Sequence, residues 1–256
     1  MTSEREPAPI QSVERAFGIV ELIAASGQEV GVSELAERAA LPLPTMHRFL
    51  RTLVSLGYVR QLSNRRYALG PGLIRVGEAA SLQMGAWARP HLASLVQQLE
   101  ETVNMAILDG DRATYVAQVP SAQSMRMFTE IGRRVHTHAS GVGKALLAEL
   151  DPDRVRGITE RAGMPTPTRM TLSTVDDLLA DLAVIRQRGF AIDDGEQELG
   201  VRCIAITVPN MPTPTAISVS GPSLRVDDDF AERAVPLLAR TAKLIAAEAQ
   251  PPAQVR

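Results

Sequence analysis

Between residues 12 and 70, apolar positions fall into three short helical periods and then switch to alternation. In SVERAFGIVELIAAS, Val13, Phe17, Val20, Ile23 and Ala24 recur at spacings of three and four, while Glu14, Arg15 and Glu21 face elsewhere. This spacing predicts an amphipathic helix that buries one stripe, with Ser12 placed to cap it and Gly27 to end it. Ser33 is placed to cap a second helix, SELAERAA, which the Leu41-Pro42 turn breaks. Pro44 suits the first turn of a third, TMHRFLRTLVSLG, closed by Gly57. At about 100° per residue, Met46, Phe49, Leu50, Leu53 and Val54 share one side of that third helix. Thr45, Arg48, Arg51, Thr52 and Ser55 share the other, and His47 lies near the border. From Tyr58 to Gly70, YVRQL-SNRR-YALG alternates around Ser63-Asn64, the mark of a hairpin with Arg60, Arg65 and Arg66 near its tip. Three helices and a hairpin spell a winged helix-turn-helix.

The remaining pattern is mixed. From Pro71 to Trp87 small and apolar positions predict a mostly helical linker, bounded by Pro90. PHLASLVQQLEE reads as a helix; VNMAIL and ATYVAQV read as antiparallel strands joined across Asp109 to Arg112, with MRMFTEI as a further element. Helices are expected around KALLAEL, from Val155 to Gly163, and over TVDDLLADLAVIRQRG, where Thr174 is the cap. FAIDD, VRCIAITV and AISVSG read as strands, and a last helix runs from about Asp228 to Ala249. The expected fold class is α+β. The expected organisation is a leader at 1–9, a DNA-binding head at 10–70, a linker helix at 71–87, a second domain at 88–249 and a tail at 250–256.

Charge sharpens the view of the head. From Ala39 to Gly77 there are six arginines, Arg48, Arg51, Arg60, Arg65, Arg66 and Arg75, and no Asp or Glu. Removing these six from the 27 basic residues leaves 21 against 29 acidic ones, so the rest of the chain carries a formal −8. Only two basic residues are lysines, Lys144 and Lys243, so arginine itself is uninformative; the absence of acids is what marks a phosphate-facing surface. A solvated basic face on a small helical subdomain is the bland alternative.

Other chemistry is thin. A single cysteine, Cys203, excludes an internal disulfide framework, and four scattered histidines give no zinc spacing. MTSEREPAPIQ has no apolar core of signal-peptide length, and no run of about 18 apolar residues appears, so a cytoplasmic protein is expected and membrane insertion is not. Ser140-Gly141-Val142-Gly143-Lys144 fails as a P-loop, because His138 and Ala145 stand where Gly and Ser or Thr are needed. There is no G-x-S-x-G elbow, so no enzyme is expected. A binding site is better supported. The glycines before a helix leave the Gly141 and Val142 amides free to face an anion. Ser218 and Ser220, two apart on a strand, point to one face. Asp193 can orient a ligand hydroxyl or amide, and Cys203 can line the same cavity. Cysteines are also ordinary core residues, strand serines often bond to backbone, and an aspartate can simply end a strand. Met105, Met125 and Met127 are core positions or a flexible wall.

Several stretches together resemble the IclR family of transcription regulators: SVERAFGIVELIA, VSELAERAALPLPTMHRFLRTLVSLGYV, NRRYALGPGLIRVG, SGVGKALLA, and GFAIDDGEQELGVRCIAITVPN followed by AISVSGP. The resemblance covers about Ser12 to Ala247. It implies a GAF-like α/β sandwich effector domain joined to the head by the linker helix, no cofactor, and a homo-oligomer, a dimer or dimer of dimers, with Met84 and Trp87 at the interface or in the core. It implies double-stranded operator DNA as partner, with Ser33, Thr45, His47, Arg48, Arg51, Arg60, Arg65 and Arg66 as contact candidates. It also implies a small carboxylate effector held by Ser140, Gly141, Val142, Asp193, Cys203, Ser218 and Ser220. ARP, YVAQVPS and SMRMFTEIG are similar to the allantoin and ureide repressors, which points to a repressor responding to glyoxylate or allantoate. Another keto-acid or aromatic-acid pathway is the runner-up, and a metabolite-sensing module without DNA binding is the alternative of another class.

Overall fold

A computed structural model describes residues 10–127 and 129–249. The leader and tail expected at the ends lie outside them. The chain divides into two compact units at Ala80 and Ser81.

The first unit holds α1 (Gln11–Ser26), α2 (Val32–Arg38), α3 (Leu43–Ser55), β1 (Val59–Gln61) and β2 (Tyr67–Leu69). Ile19 and Ile23 of α1, Leu35 of α2, and Met46, Leu50 and Leu53 of α3 close one core beneath Val59 and Tyr67 of the hairpin. Gly27 ends α1 in the left-handed region, and Pro44 stands in the first turn of α3, as expected. The two expected serine caps are not formed. Helix α1 begins at Gln11 behind Ile10, and α2 at Val32 behind Gly31, neither with a side-chain cap bond. Ser12 and Ser33 therefore lie inside their first turns. The buried stripe of α1 is shifted: Ile23 is buried as expected, but Val13 and Phe17 are exposed, Phe17 by 66%, and Ile19 is buried in their place.

Helix α4 (Gly72–Met84) crosses the division between the units and buries none of its residues. The expected linker helix thus stops at Met84; Gly85 and a short 3-10 turn, Ala86–Ala88, separate it from α5 (Arg89–Leu99).

The second unit is built on a six-stranded antiparallel sheet of order β5-β4-β3-β8-β7-β6. Its strands are β3 (Thr102–Asp109), β4 (Arg112–Val119), β5 (Arg134–His136), β6 (Ala191–Asp194), β7 (Val201–Val208) and β8 (Thr215–Pro222). Side chains alternate between two layers. One face carries Val103, Met105, Ile204, Ile217 and Val219 against α5 and α9 (Asp228–Ala249). The other carries Ala106, Tyr115, Ala205 and Ala216 against α6 (Gly141–Ala148), α7 (Pro152–Ala162) and α8 (Val175–Arg188). Thr174 caps α8 by accepting the Asp177 amide at 3.1 Å, as its sequence requires. MRMFTEI forms no strand in its described residues; the third strand of that region is Arg134–His136.

Candidate ligand site and nucleic-acid interface

The sheet face under α6 gathers most of the expected ligand residues. Register places Asp193 opposite Cys203, and Cys203 opposite Ser220, on three successive strands. Ser218 stands two residues from Ser220 on the same face. Gly141 lies directly over this patch: a Cβ there would come within 2.8 Å of Cys203 Sγ, so only glycine lets the start of α6 approach the thiol this closely. Ser140 caps α6, accepting the Gly143 amide at 3.2 Å and donating its hydroxyl to the His136 carbonyl at 2.9 Å. The Ser140 carbonyl is the first backbone acceptor, taken by Lys144 at 2.9 Å, so the Gly141 and Val142 amides precede the intrahelical bonds. All seven residues are buried. Two clefts, of about 490 and 630 Å³, lie elsewhere and include none of them.

The electrostatics suit a neutral, hydrogen-bonding patch. Burial pushes the Asp193 carboxyl up to about 7, with Glu196 adding to the rise and the Glu196 and Gln197 amides opposing it. Burial likewise raises the Cys203 thiol to about 11, while the Ser220 and Ser218 hydroxyls act against it. Cys203 is thus a protonated thiol at neutral pH, without the activation a nucleophile needs. Tyr115, not among the sequence candidates, has its phenol raised by burial and then by Cys203 and Asp193, which marks it as a neighbour of the patch.

Sequence reading also missed the support beneath Asp193. Its Oδ1 accepts the Glu196 amide at 2.7 Å and the Gln197 amide at 3.3 Å, closing the turn after β6. Lys144, only 2% exposed, donates to Glu196 at 2.5 Å and lies 2.8 Å from Asp181. A buried cation requires such partners, and these tie α6 to the Asp193 turn and to α8. The signal in sequence was faint: Lys144 is one of two lysines, and its partners stand 37 and 52 residues away.

In the head, Arg51 and His47 project from the outer side of α3, with Arg48 beside them, all exposed. Thr45 is half-buried, and with Arg48, Phe49 and Thr52 it borders a cleft whose other wall is Val13, Phe17 and Val20 of α1. Ser33 is exposed near the start of α2. Arg60 and Arg65 are exposed on the hairpin, and among the described residues Arg48, Arg51, Arg60 and Arg65 make no ion pair. Arg66 is different: it donates twice to the Glu29 carbonyl, at 2.8 and 3.2 Å, and lies 3.9 Å from Glu34. At the hairpin turn the acid-free run therefore meets Glu34 of α2 through Arg66 and the Glu29 carboxylate through Asn64, which donates to it at 2.7 Å. Among the described residues no group of acidic, histidine or cysteine side chains is arranged for a metal, and no helix is long and apolar enough to cross a membrane.

Comparison with known proteins agrees with this layout. The IclR helix-turn-helix domain matches residues 12–63, and the bacterial transcriptional regulator IclR C-terminal domain matches residues 78–247. The transcriptional repressor IclR of Escherichia coli is 39% identical over 227 residues, covering 86% of this chain and 83% of that protein. The Escherichia coli repressor AllR is 34% identical over 224 residues, with 86% and 83% covered. The crystal structure of a transcriptional regulator, RHA06195 from Rhodococcus, is similar with a TM-score of 0.81 at 29% identity, covering 94% of this chain and 98% of that one.

Proposed function

Because this chain belongs to the IclR family of bacterial transcriptional regulators, we propose that it is a cytoplasmic, non-enzymatic repressor. In this reading it binds a pseudo-palindromic operator as a homo-oligomer and responds to a small carboxylate held under α6. The observation that carries the ligand assignment is the convergence of Asp193, Cys203, Ser218 and Ser220 on one buried patch beneath the glycine-bearing start of α6. Hydroxyls, a protonated thiol and two first-turn amides are groups that can donate hydrogen bonds to an anion, and the Asp193 carboxyl, raised to about 7, carries only part of a negative charge at neutral pH.

In the head, Arg51, His47 and Arg48 are the groups that would enter the major groove, and Arg60 and Arg65 would neutralise phosphates from the wing. Ser33 is placed for a backbone contact. Thr45 stands at the margin of that face. Arg66 braces the wing through Glu29, leaving it the weakest of the expected phosphate ligands. The apolar cleft beside α1, with Phe17 and Val13 exposed, supports a second copy covering this face.

The pathway reading is allantoin or ureide catabolism, with glyoxylate or allantoate as effector. Motifs shared with that subgroup support it. The runner-up is a regulator of another small keto-acid or aromatic-acid pathway, and it is kept because a relative outside that subgroup, the Escherichia coli transcriptional repressor IclR, is more similar to this chain than AllR is. Ser220→Ala tests the site. Titration with effector should show at least tenfold weaker response while operator affinity in its absence is unchanged; an unchanged titration would remove Ser220 from the site.

A further inference from the structure

One cation and three carboxylates gather where α6, α8 and the turn after β6 come together. Lys144 of α6 is 2% exposed, and its Nζ lies 2.5 Å from Glu196 Oε1 and 2.8 Å from Asp181 Oδ2 of α8. Asp193, 4% exposed, accepts the Glu196 and Gln197 amides on one oxygen, Oδ1. With all four groups charged the cluster carries a formal −2. The ammonium is spent on Glu196 and Asp181, so among the described residues Asp193 is the carboxyl of the three that makes no ion pair.

The other groups around Asp193 do not supply the missing charge. Cys203 of β7 is its cross-strand partner, a thiol kept protonated by burial, and Tyr115 of β4 is a neutral phenol for the same reason. Glu196 adds a negative charge. Arg188 at the end of α8 lies near Asp181 and Glu196, and its guanidinium donates to the Phe190 carbonyl at 2.6 Å. Arg202, next along β7, pairs with Asp194 and Asp228.

An anion seated against Cys203 and Ser220 stands beside this unneutralised carboxyl, one to two strands away at about 4.8 Å per strand. Two negative charges so close repel strongly where water is scarce. One proton between the two carboxyl groups removes the repulsion and adds a charge-assisted hydrogen bond. Oδ1 is committed to the turn amides, which leaves Oδ2 to take that proton. Burial already raises the carboxyl to about 7, and an adjacent anion raises it further.

We propose that Asp193 binds the effector as the neutral acid, donating a hydrogen bond to the effector carboxylate, so that binding is coupled to uptake of a proton and weakens as pH rises above neutrality. The inference rests on the effector-site reading. The proton comes from solvent, forms an O–H bond on Asp193, and returns to solvent when the effector leaves. Well below pH 7 the carboxyl is protonated with or without effector, and no proton is taken up. Above pH 7 the free protein has lost the proton that the complex keeps, and affinity falls by up to about tenfold per pH unit.

Calorimetric titration of the full-length protein with glyoxylate, and with pyruvate as a second probe, measures the coupling. At pH 8, in HEPES and in Tris, the difference in binding heat reports the protons taken up. The wild type should take up roughly half a proton or more per site at pH 8, and bind about fivefold more weakly or worse there than at pH 6. Asp193→Asn keeps an acceptor for the turn amides and puts an NH₂ donor where the acid O–H stood. It should take up no proton, bind equally at both pH values, and bind at least as tightly as the wild type at pH 8. Ser220→Ala should weaken binding by the same factor at both pH values. Binding by the wild type without proton uptake at pH 8, or an Asp193→Asn variant that keeps the wild-type pH dependence, would overturn the coupling and leave the effector site standing. Should Asp193→Asn fail to fold, the wild-type buffer comparison decides alone. If the wild type binds neither acid at either pH, the carboxylate reading falls and the coupling with it.

Discussion

Asp193 carries two demands in one side chain. One oxygen accepts the Glu196 and Gln197 amides and fixes the turn after β6, while burial raises the carboxyl to about 7 from an ordinary 3.8. A carboxyl whose folded-state value is raised contributes stability that is fully present below about pH 3.8 and is lost as pH rises through about 7. Between pH 6 and 8 that loss is roughly 1 kcal/mol, a shift of a few degrees in a domain of this size. Asp193→Asn keeps the acceptor for both amides and removes the ionisation. Thermal melts without ligand should therefore show the wild type falling more than the variant between pH 6 and 8. Parallel profiles would mean that Asp193 ionises freely.

Among the elements, the wing gives the cleanest separation of function from folding. Its turn is closed by the Arg65 amide donating to the Leu62 carbonyl at 2.9 Å, and Arg65 adopts a positive φ of 62°. Glycine takes that conformation without cost, whereas a side chain is strained by about 1 kcal/mol. An arginine held there is expected if its guanidinium serves to meet phosphate. Arg65→Gly should leave the melting temperature unchanged or higher, yet weaken DNA binding similarly on all sequences and lower the slope of log K against log salt by about one. A loss confined to the operator would show that Arg65 reads bases.

The same elements show what sequence can reveal. Helices α3 and α8 were legible because apolar period, proline placement and the Thr174 cap all agreed. The stripe of α1 was legible only in part: Ile23 is buried as expected, but Val13 and Phe17 are exposed and Ile19, outside the expected stripe, is buried, because an exposed apolar face has the same period as one that fills a core. Strand periodicity puts Ser218 and Ser220 on one face, and the resemblance joins Cys203 to them; the register brings the three together. Lys144, Glu196 and Asp181 escaped it because their meeting depends on how α6, the Asp193 turn and α8 pack.

At the scale of the molecule, charge and burial divide the work between the units. The head collects an acid-free run of basic residues on a chain otherwise at a formal −8, while the second unit buries a small polar set that includes Ser140, Lys144, Asp193, Ser218 and Ser220. This partition suits a regulator in which one unit meets a polyanion and the other a small anion. The most direct test is fluorescence anisotropy of the full-length protein on its own upstream region and on an unrelated duplex, with and without glyoxylate, allantoate, pyruvate and an aromatic acid. The account predicts specific binding to the upstream region that one of these acids changes at least tenfold, with no comparable change on the unrelated duplex. Equal affinity for both duplexes, unmoved by any of the four acids, would contradict it.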